Sequence, residues 1–297
     1  MNRYAALLLT AMLLVGGNVG IGKTVINFIP VPIFATLRFV VAAIVLGPLI
    51  RPSKIRQIVF SDWLNLFLQA LFGTFLFTIL MLNGLRHTSA VAAGVMTSAI
   101  PAVVAIFAWI LLGERLGIRA IVSVLLAVSG IVVVNLSRSG DASGSGRETL
   151  VGNLFVFGAV CCEALYVIYS RRTSRNLRPI DVCIYTHAIG LLLMLPIGGV
   201  AFASFDFGDV PAKIWVLSVW YGLAASVFAF WLWMRGIQHV AGNVAGVFTA
   251  MVPVAASFYG IVFNKEPFRV ADAVALVLVI VSILVASGSV SGASHEK

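Results

Sequence analysis

GLRHTSAVAAGVMTSAIP, residues 84–101, returns 152 residues later as GIQHVAGNVAGVFTAMVP, residues 236–253. Seven positions of the two stretches are identical without a gap. Apolar stretches readily match alanine and valine by chance, but chance does not also align histidine, proline, tryptophan and glutamate. The identical pairs are Gly84/Gly236, His87/His239, Ala93/Ala245, Gly94/Gly246, Val95/Val247, Thr97/Thr249 and Pro101/Pro253, and the same shift adds Trp63/Trp215 and Glu114/Glu266. The chain therefore contains an internal duplication.

The composition around this duplication is that of a membrane protein. Of 297 residues, 61% are hydrophobic and 10% are charged, and the mean hydropathy is +1.06. In soluble proteins roughly a quarter of the residues are charged. A net charge of +9 would suggest nucleic-acid binding in a soluble chain, but here the basic residues lie in short connections between apolar runs. We expect an all-α integral membrane protein that is not an enzyme and binds no nucleic acid.

Charged or Gly/Pro-rich breaks divide the chain into ten apolar segments. A bilayer core takes about 20 apolar residues to cross, and each segment approaches that length. The predicted transmembrane helices are 4–25, 32–50, 63–85, 89–112, 118–136, 150–171, 180–200, 213–235, 240–263 and 270–288. The apolar run near the N-terminus has no A-x-A site after it, so we interpret it as an uncleaved first helix rather than a signal peptide.

The distribution of basic residues predicts the orientation. If the N-terminus is cytoplasmic, the inside segments hold twelve basic residues and the outside segments hold seven. The positive-inside rule therefore favours cytoplasmic N- and C-termini, with 289–297 as a cytoplasmic tail. The polar linker at 137–149 then lies outside the cytoplasm, between two sets of five helices.

Five helices is an odd number, so the second unit must enter the membrane in the opposite sense to the first. The prediction is two inverted five-helix repeats, at 1–136 and 150–288, around a central cavity. Repeats of this kind serve alternating access to a site near the membrane midplane. This symmetry is the strongest argument for transport in the sequence.

The chain resembles the drug/metabolite transporter superfamily, and within it the ten-helix EamA-type exporters. The residues that carry the resemblance, in chain order, are Gly17, Asn18 and Lys23, then Pro32 and Arg38, the run from Leu85 to Pro101, the L-G-E ending at Leu112 to Glu114, and Pro253 and Glu266. The second unit has Asn264 and Lys265 where the first has the leucine and glycine of L-G-E. The resemblance implies a ten-helix exporter and points toward amino acids, including aromatic ones, as substrates.

GNVGIGKT, residues 17–24, fits the phosphate-binding pattern G-x-x-x-x-G-K-[ST] at every position. No strand precedes it and no soluble domain follows it, so we do not expect it to bind a nucleotide. Gly16 and Gly20 instead form a small-x-x-x-small face on which a neighbouring helix can pack. Lys23 then either extends toward the outer surface or points into a cavity.

Charges inside the hydrocarbon are costly, which makes Arg38 and Glu163 the first site hypotheses. Arg38 lies about 9 Å into its helix and Glu163 about 20 Å, at 1.5 Å per residue, a difference in depth that the length of arginine and helix tilt close only in part. The alternatives are a substrate-contacting or gating role, a structural ion pair, and an Arg38 that is hydrogen-bonded to helix carbonyls. His187 is the counterpart of Arg38 under a shift of 149. The predicted substrate pathway comprises Asn18, Lys23, Arg38, Thr97, Glu163, Tyr166, His187, Trp231 and Thr249. Trp231 and Trp233 lie on different helix faces, so at most one of them lines a cavity.

Four residues are predicted to bend helices during transport, namely Gly94, Pro101, Gly246 and Pro253. Proline removes one backbone hydrogen bond within a span. We expect Glu114 and Glu266 to interact with the positive ends of the helices that follow them. His87 and His239, in equivalent turns, are interpreted as capping or interface residues. The three cysteines and four histidines show no metal spacing, so neither a metal nor a cofactor is expected.

The function predicted from the sequence is a secondary transporter of the bacterial-type inner membrane that exports small metabolites. One cation, one acid and several aromatic residues suit an amino acid, because a zwitterion needs one partner of each sign. The alternatives are a multidrug or quaternary-cation exporter that uses Glu163 and the aromatic residues, and a nucleotide-dependent membrane protein built on residues 17–24. The partners are the substrate and the lipid bilayer, and a monomer is compatible with the pattern.

Overall fold

The structure is a computed structural model that describes residues 3–50, 58–114, 117–139, 146–170, 177–237, 239 and 248–288. Every regular element in these ranges is helical. The elements are α1 (Arg3–Val25), α2 (Val31–Leu46, continued by the 3-10 turn Gly47–Leu49), α3 (Phe60–His87), α4 (Ala90–Thr97 and Ile100–Leu112), α5 (Ile118–Ser139), α6 (Gly146–Ser170), α7 (Pro179–Ala203), α8 (Ala212–Leu223, Ala224–Phe228 and Ala229–Ile237), α9 (Met251–Val262) and α10 (Val270–Gly288).

The all-helical prediction is confirmed for the described residues, whose helices lie within a few residues of the predicted segments. Residues 240–247 of the predicted segment 240–263 lie outside the described residues. Seven are long and apolar enough to cross a membrane. The described parts of α5, α9 and α10 are shorter apolar helices, Ile118–Val134, Met251–Val262 and Val270–Val285. Side chains such as Ile118 (73% exposed) and Val270 (83% exposed) project from the bundle, as expected of a surface covered by lipid.

Contacts between α5 and α10 recur at residues that the 152-residue shift relates. Ser282 Oγ donates a hydrogen bond of 2.7 Å to the carbonyl of Ser123. The residues related to this pair by the shift are Gly130 and Ala275, and they also touch, since a Cβ on Gly130 would lie 3.2 Å from the Ala275 carbonyl oxygen. One contact between the repeats thus appears twice, as a pseudo-two-fold relation requires.

Helices α3 and α8 each contain a π-helical segment at the equivalent position. The segments are Ala70–Leu76 in α3 and Ala224–Phe228 in α8, and their last residues differ by 152. Such segments widen a helix by one residue per turn and occur frequently at functional sites. Thr74 and Ser226 are equivalent residues within them.

Helix α4 is interrupted in the middle of its span. Its first part ends at Thr97, and Pro101 lies in the first turn of the second part. Pro253 likewise lies near the start of α9, after a turn at residues 249–250. Gly94 packs on this region, since a Cβ on Gly94 would lie 2.6 Å from Cβ of Ala256. The fourth predicted hinge residue, Gly246, lies outside the described residues.

The ends of α4 and α9 have the same backbone. Gly113 follows α4 with φ of 68° and Lys265 follows α9 with φ of 56°, both in the left-handed region. The next amide in each case, that of Glu114 or Glu266, bonds a carbonyl six residues earlier, at 3.3 and 3.0 Å. A left-handed residue is a common helix ending, and glycine is the residue that favours that conformation. Only the first repeat has glycine there.

The contacts of Glu266 differ from the expectation that it interacts with the helix that follows it. Its carboxylate does not serve the helix that follows it but accepts the amides of Ala90 (2.8 Å) and Val91 (3.1 Å), at the start of α4. The residue before it, Lys265, has a left-handed backbone conformation. The favourable pairing of a carboxylate with a positive helix end is therefore made across the two repeats.

The packing face predicted for Gly16 and Gly20 is confirmed. A Cβ on Gly16 would lie 2.7 Å from Cβ of Ala255, and one on Gly20 would overlap the ring of Tyr259, so α1 lies directly against α9. Residues 17–24 are all inside α1, where backbone amides are engaged in the helix. A phosphate-binding loop needs those amides free, which removes the nucleotide hypothesis for this stretch.

The N-terminus of α7 carries an ion pair. Arg178 donates to both oxygens of Asp181, at 2.8 and 2.7 Å. The hydrogen bond to Asp181 raises the pKa of the Arg178 guanidinium above its usual value. Arg178 is one of the twelve basic residues assigned to the inside segments, and its charge is partly neutralised by its own helix.

Candidate functional site

Arg38 lies in the middle of α2 and is buried, with 7% of its surface exposed. Its guanidinium donates to Thr78 Oγ1 of α3 at 2.5 Å and to Ser226 Oγ of α8 at 3.3 Å. The rings of Phe39 and Tyr221 lie 5.6 and 5.8 Å from the guanidinium carbon, close enough for cation–π attraction. Neutral hydroxyls and ring faces hold this charge in place without cancelling it.

Glu163 supplies the opposite charge to the same region. It lies seven residues before the end of α6 at Ser170, about 10 Å into the bundle at 1.5 Å per residue. The Arg38 charge acts on its carboxylate, yet no salt bridge joins Glu163 to another side chain within the described ranges. The Glu163 side chain is half-buried.

Tyr166 stands one turn after Glu163 and packs against the π-helical segment of α3. A Cβ on Gly73 would overlap the Tyr166 ring, so the ring lies directly on the backbone of α3. Only a glycine at position 73 permits this approach. Glu163 and Cys183 are the ionisable groups that act on the Tyr166 hydroxyl. The acid and an aromatic wall thus face the same space.

His187 joins the site from α7. Its Nδ1 lies 2.8 Å from the carbonyl of Cys183, so Nδ1 carries the proton and donates. In the neutral ring Nε2 is then an acceptor, and it is buried without a hydrogen-bond partner among the described residues. The positive charge of Arg38 acts on His187, so the two residues belong to one cluster.

Asn18 completes the polar set from α1. It is 6% exposed, and neither its Oδ1 nor its Nδ2 has a hydrogen-bond partner in the described part of the chain. Gly22, one turn later on the same face, would place a Cβ 3.6 Å from the Tyr221 ring. This face of α1 therefore lies near the part of α8 that carries Tyr221. Burying an unpaired amide is costly, so such a group calls for a ligand or water partner.

We call Asn18, Arg38, Glu163, Tyr166 and His187 the central cluster. It collects five predicted pathway residues from α1, α2, α6 and α7. Every one of them is polar, and together they offer one cation, one acid, a free acceptor and a free amide.

Four predicted pathway residues lie outside the central cluster. Lys23 donates to two backbone carbonyls at the end of α3. Thr97 is buried, and its hydroxyl donates to the Gly94 carbonyl of its own helix at 2.9 Å. Trp231 is 47% exposed and lies under the guanidinium of Arg235 of the same helix. Thr249 lies half-buried in the turn before α9.

The residues that hold Arg38 are not among those predicted from the sequence. Thr78, Ser226 and Tyr221 are ordinary helical residues with no motif around them. Ser226 is equivalent to Thr74 under the 152-residue shift, and both lie in a π-helical segment. Their hydroxyls, buried inside apolar helices, were the one available signal.

The described residues contain no group of three or more histidine, cysteine or acidic side chains that could hold a metal ion. Cys161, Cys162 and Cys183 are free thiols.

A family comparison decides the class of protein. The family model described as the EamA-like transporter family matches residues 2–136 and 150–288. The chain belongs to the EamA-like transporter family. It is thus a multi-pass membrane transporter of the drug/metabolite transporter superfamily. The matched ranges cover nearly the whole chain, and the central cluster takes residues from both.

Curated relatives of this EamA-like protein agree with the class and leave the substrate open. An uncharacterized transporter of Bacillus subtilis, YetK, is 32% identical over 96% of this chain and 86% of its own length. The mouse solute carrier family 35 member F5 is 27% identical over 42% of this chain and 24% of its own length. One solved crystal structure superposes with a TM-score of 0.64 at 19% identity, over 98% of this chain and 99% of the other, which supports the fold alone.

Proposed function

We propose that this EamA-like transporter exports amino acids, and that the central cluster is the substrate site. The observation that carries the proposal is the presence of Arg38 and Glu163 in one buried cluster without a salt bridge between them. Two opposite charges that do not neutralise each other suit a zwitterion, whose carboxylate pairs with the arginine and whose ammonium pairs with the glutamate.

The remaining polar groups fit the same substrate. The unpaired acceptor at His187 Nε2 can take one ammonium hydrogen, and the Asn18 amide offers both a donor and an acceptor. The rings of Phe39, Tyr166 and Tyr221 supply an apolar wall for a side chain. A phosphorylated substrate needs several converging cations, and within the described cluster Arg38 is the one strong cation.

The transport cycle that we propose is alternating access by two inverted five-helix repeats that cross the membrane ten times. The duplicated contacts of α5 and α10, the paired π-helical segments and the paired breaks in α4 and α9 support it. The proposed orientation has both termini in the cytoplasm of a cell with an inner membrane, in accordance with the twelve basic residues assigned to that side.

The test is counterflow in liposomes that contain the purified full chain, with a panel of amino acids. Exchange of at least one amino acid is expected, and exchange of none would discard the substrate class. The same assay with and without a pH gradient separates proton antiport from facilitated diffusion.

Glu163→Gln probes the site directly, because it keeps the shape and removes the charge. We expect the KM for the exchanged amino acid to rise about tenfold while the variant elutes as folded protein. Trp231→Phe, an aromatic change outside the central cluster, is the matched control and should keep the wild-type KM. Equal kinetics for Glu163→Gln and wild type would remove Glu163 from the site.

The Glu163–Tyr166 neighbourhood also favours a second candidate, export of a quaternary cation that uses the acid and the ring. Dye efflux that amino acids do not compete with, and that Arg38→Ala leaves intact, would select this candidate over the first.

A further inference from the structure

Two helix ends meet at the turn between α3 and α4, residues 85–91, and a charged side chain binds each of them. The ammonium of Lys23 donates to the carbonyls of Leu85 at 2.5 Å and Thr88 at 2.8 Å, at the negative end of α3. The carboxylate of Glu266 binds the amides at the positive end of α4. Each charge has the sign that the helix dipole favours.

Further hydrogen bonds tie the same region together. Thr24 Oγ1 donates to Asn264 Oδ1 at 2.7 Å, and Asn264 Nδ2 donates to the Gly20 carbonyl at 3.2 Å. Thr88 Oγ1 donates to Asn153 Oδ1 of α6 at 2.6 Å. The turn is thus bound by α1 of its own repeat and by α6 and the α9–α10 connection of the other. We call these contacts the turn clamp.

A buried apolar layer lies beneath the turn clamp. Its side chains from α1, the α1–α2 connection, α2 and α3 belong to one core cluster and are completely buried; they are Val25, Ile29, Phe34, Leu82 and Leu85. Leu85 contributes both to this layer and, through its carbonyl, to the clamp. Gly22 packs on Leu82 and on Tyr221, which borders Arg38. The layer therefore separates the central cluster from this end of the bundle.

The residue before Glu266 has an unusual backbone conformation. Lys265 holds the left-handed conformation that its counterpart Gly113 adopts freely. A non-glycine residue in this conformation is strained by roughly 1–2 kcal/mol relative to a relaxed one. The strain persists because the surrounding contacts over-determine the turn, and such strain clusters at switch regions.

We propose that the α3–α4 turn is a gate over this end of the transport pathway, and that Lys23 and Glu266 are the residues that hold it closed. Opening separates Glu266 from the α4 amides and Lys23 from the α3 carbonyls, and the turn carries Leu85 out of the apolar layer. Lys23 is then a gating residue and not a substrate ligand. The proposal rests on the family's transport activity but not on the choice of amino acids as substrates.

The test measures exposure of the apolar layer without any substrate. Leu85→Cys is placed in a chain whose three native cysteines are replaced by serine, and its reaction with a membrane-impermeant maleimide is timed in liposomes. Glu266→Gln keeps the shape and removes the charge. The labelling rate should rise roughly tenfold, because hydrogen bonds to a charged group are the strong ones.

Glu114→Gln is the matched control, since it makes the same change at the equivalent position of the other repeat. It should not raise the labelling of Leu85→Cys. If Glu266→Gln does not yield folded protein, Lys23→Met carries the same test with the same expected rise.

A cross-linking arm tests the gate during transport. Thr24→Cys/Asn264→Cys, joined by a short bis-methanethiosulfonate that forms a disulfide with each thiol, should lose more than nine-tenths of its counterflow and regain it when a reductant cleaves those disulfides. Ser123→Cys/Ser282→Cys, joined in the same way across α5 and α10, should keep its counterflow.

The two proposals fail in distinguishable ways. No rise in labelling with folded Glu266→Gln and Lys23→Met, or full counterflow by the cross-linked 24–264 pair, overturns the gate and leaves the amino-acid assignment standing. A rise in labelling in a protein that exchanges no amino acid supports the gate and removes the assignment.

Discussion

The two repeats share a backbone but differ in the charges that it carries. Arg38 of the first repeat is a buried cation, and the residue that a shift of 149 assigns to it in the second repeat is a histidine, His187, whose Nδ1 donates to the Cys183 carbonyl. Thr74 of α3 bonds its own helix, at the Ala70 carbonyl, whereas Ser226 of α8 holds the arginine. The internal symmetry provides matched positions. The different side chains at those positions make the charge distribution of the site asymmetric.

This difference teaches how a duplicated fold can bind an asymmetric molecule. A symmetric site would offer a zwitterion two identical partners. Substitution at matched positions instead yields one cation and one neutral acceptor, while the acid comes from α6. Variants at matched positions therefore separate the effect of the fold from the effect of the charge.

The largest difference is expected between Arg38→Ala and His187→Ala. Loss of the buried cation should reduce kcat/KM for counterflow roughly a hundredfold or more, because the substrate carboxylate and two hydroxyls lose their partner. His187→Ala should cost roughly tenfold or less. Arg38→Lys should restore part of the loss, and size-exclusion profiles serve as the folding control. Equal losses in both alanine variants would contradict the assigned asymmetry.

The next comparison concerns α1 and its counterpart α6. Contacts of α1 on α9 are made by Gly16 and Gly20, whereas α6 contacts α4 through larger residues such as Ala164. Gly20→Ala should lower the unfolding free energy by about 1–3 kcal/mol, since its Cβ would meet the Tyr259 ring. Thermal unfolding in detergent measures this effect.

Gly17→Ala is the control within the same stretch, because a Cβ there meets nothing within 4 Å. It should be as stable as wild type or more stable by up to about 1 kcal/mol, through helix propensity. Equal destabilisation by the two alanines would contradict the packing role of Gly20.

A smaller effect is expected from the two π-helical segments. Ser226→Ala removes the partner of Arg38 Nε and should raise KM roughly fivefold, which corresponds to about 1 kcal/mol for a hydrogen bond between membrane helices. Thr74→Ala removes a bond to the Ala70 carbonyl and should change KM less than twofold. The reverse order in counterflow assays would show that Thr74 and not Ser226 supports the site.

The smallest effect is expected at the two left-handed turns. Lys265→Gly should stabilise the protein by about 1 kcal/mol and Gly113→Ala should destabilise it by about the same amount, since only glycine adopts this conformation without strain. Unfolding temperatures measured side by side check both changes. Destabilisation by Lys265→Gly would mean that the lysine side chain itself holds the turn.

Much of the fold was predictable because apolar length and break residues act locally. The helix positions, the interruptions at Pro101 and Pro253 and the packing face of Gly16 and Gly20 follow from residue type and spacing. The central cluster was predictable in part, since a charge in an apolar helix is costly wherever it lies. Thr78 and Ser226 were not predictable, because a hydroxyl in a helix bonds its own backbone unless a neighbouring helix brings a better partner.

By itself the sequence determined the class of the protein, the duplication and the short set of charged residues that a membrane tolerates only for a reason. Hydropathy, proline and repeat spacing are properties of the chain and need no knowledge of neighbours. Only the tertiary structure decided that Glu266 binds the start of α4 and that Lys23 binds the end of α3. Those pairings depend on which helix ends meet, and that is set by the packing of helices far apart in the chain.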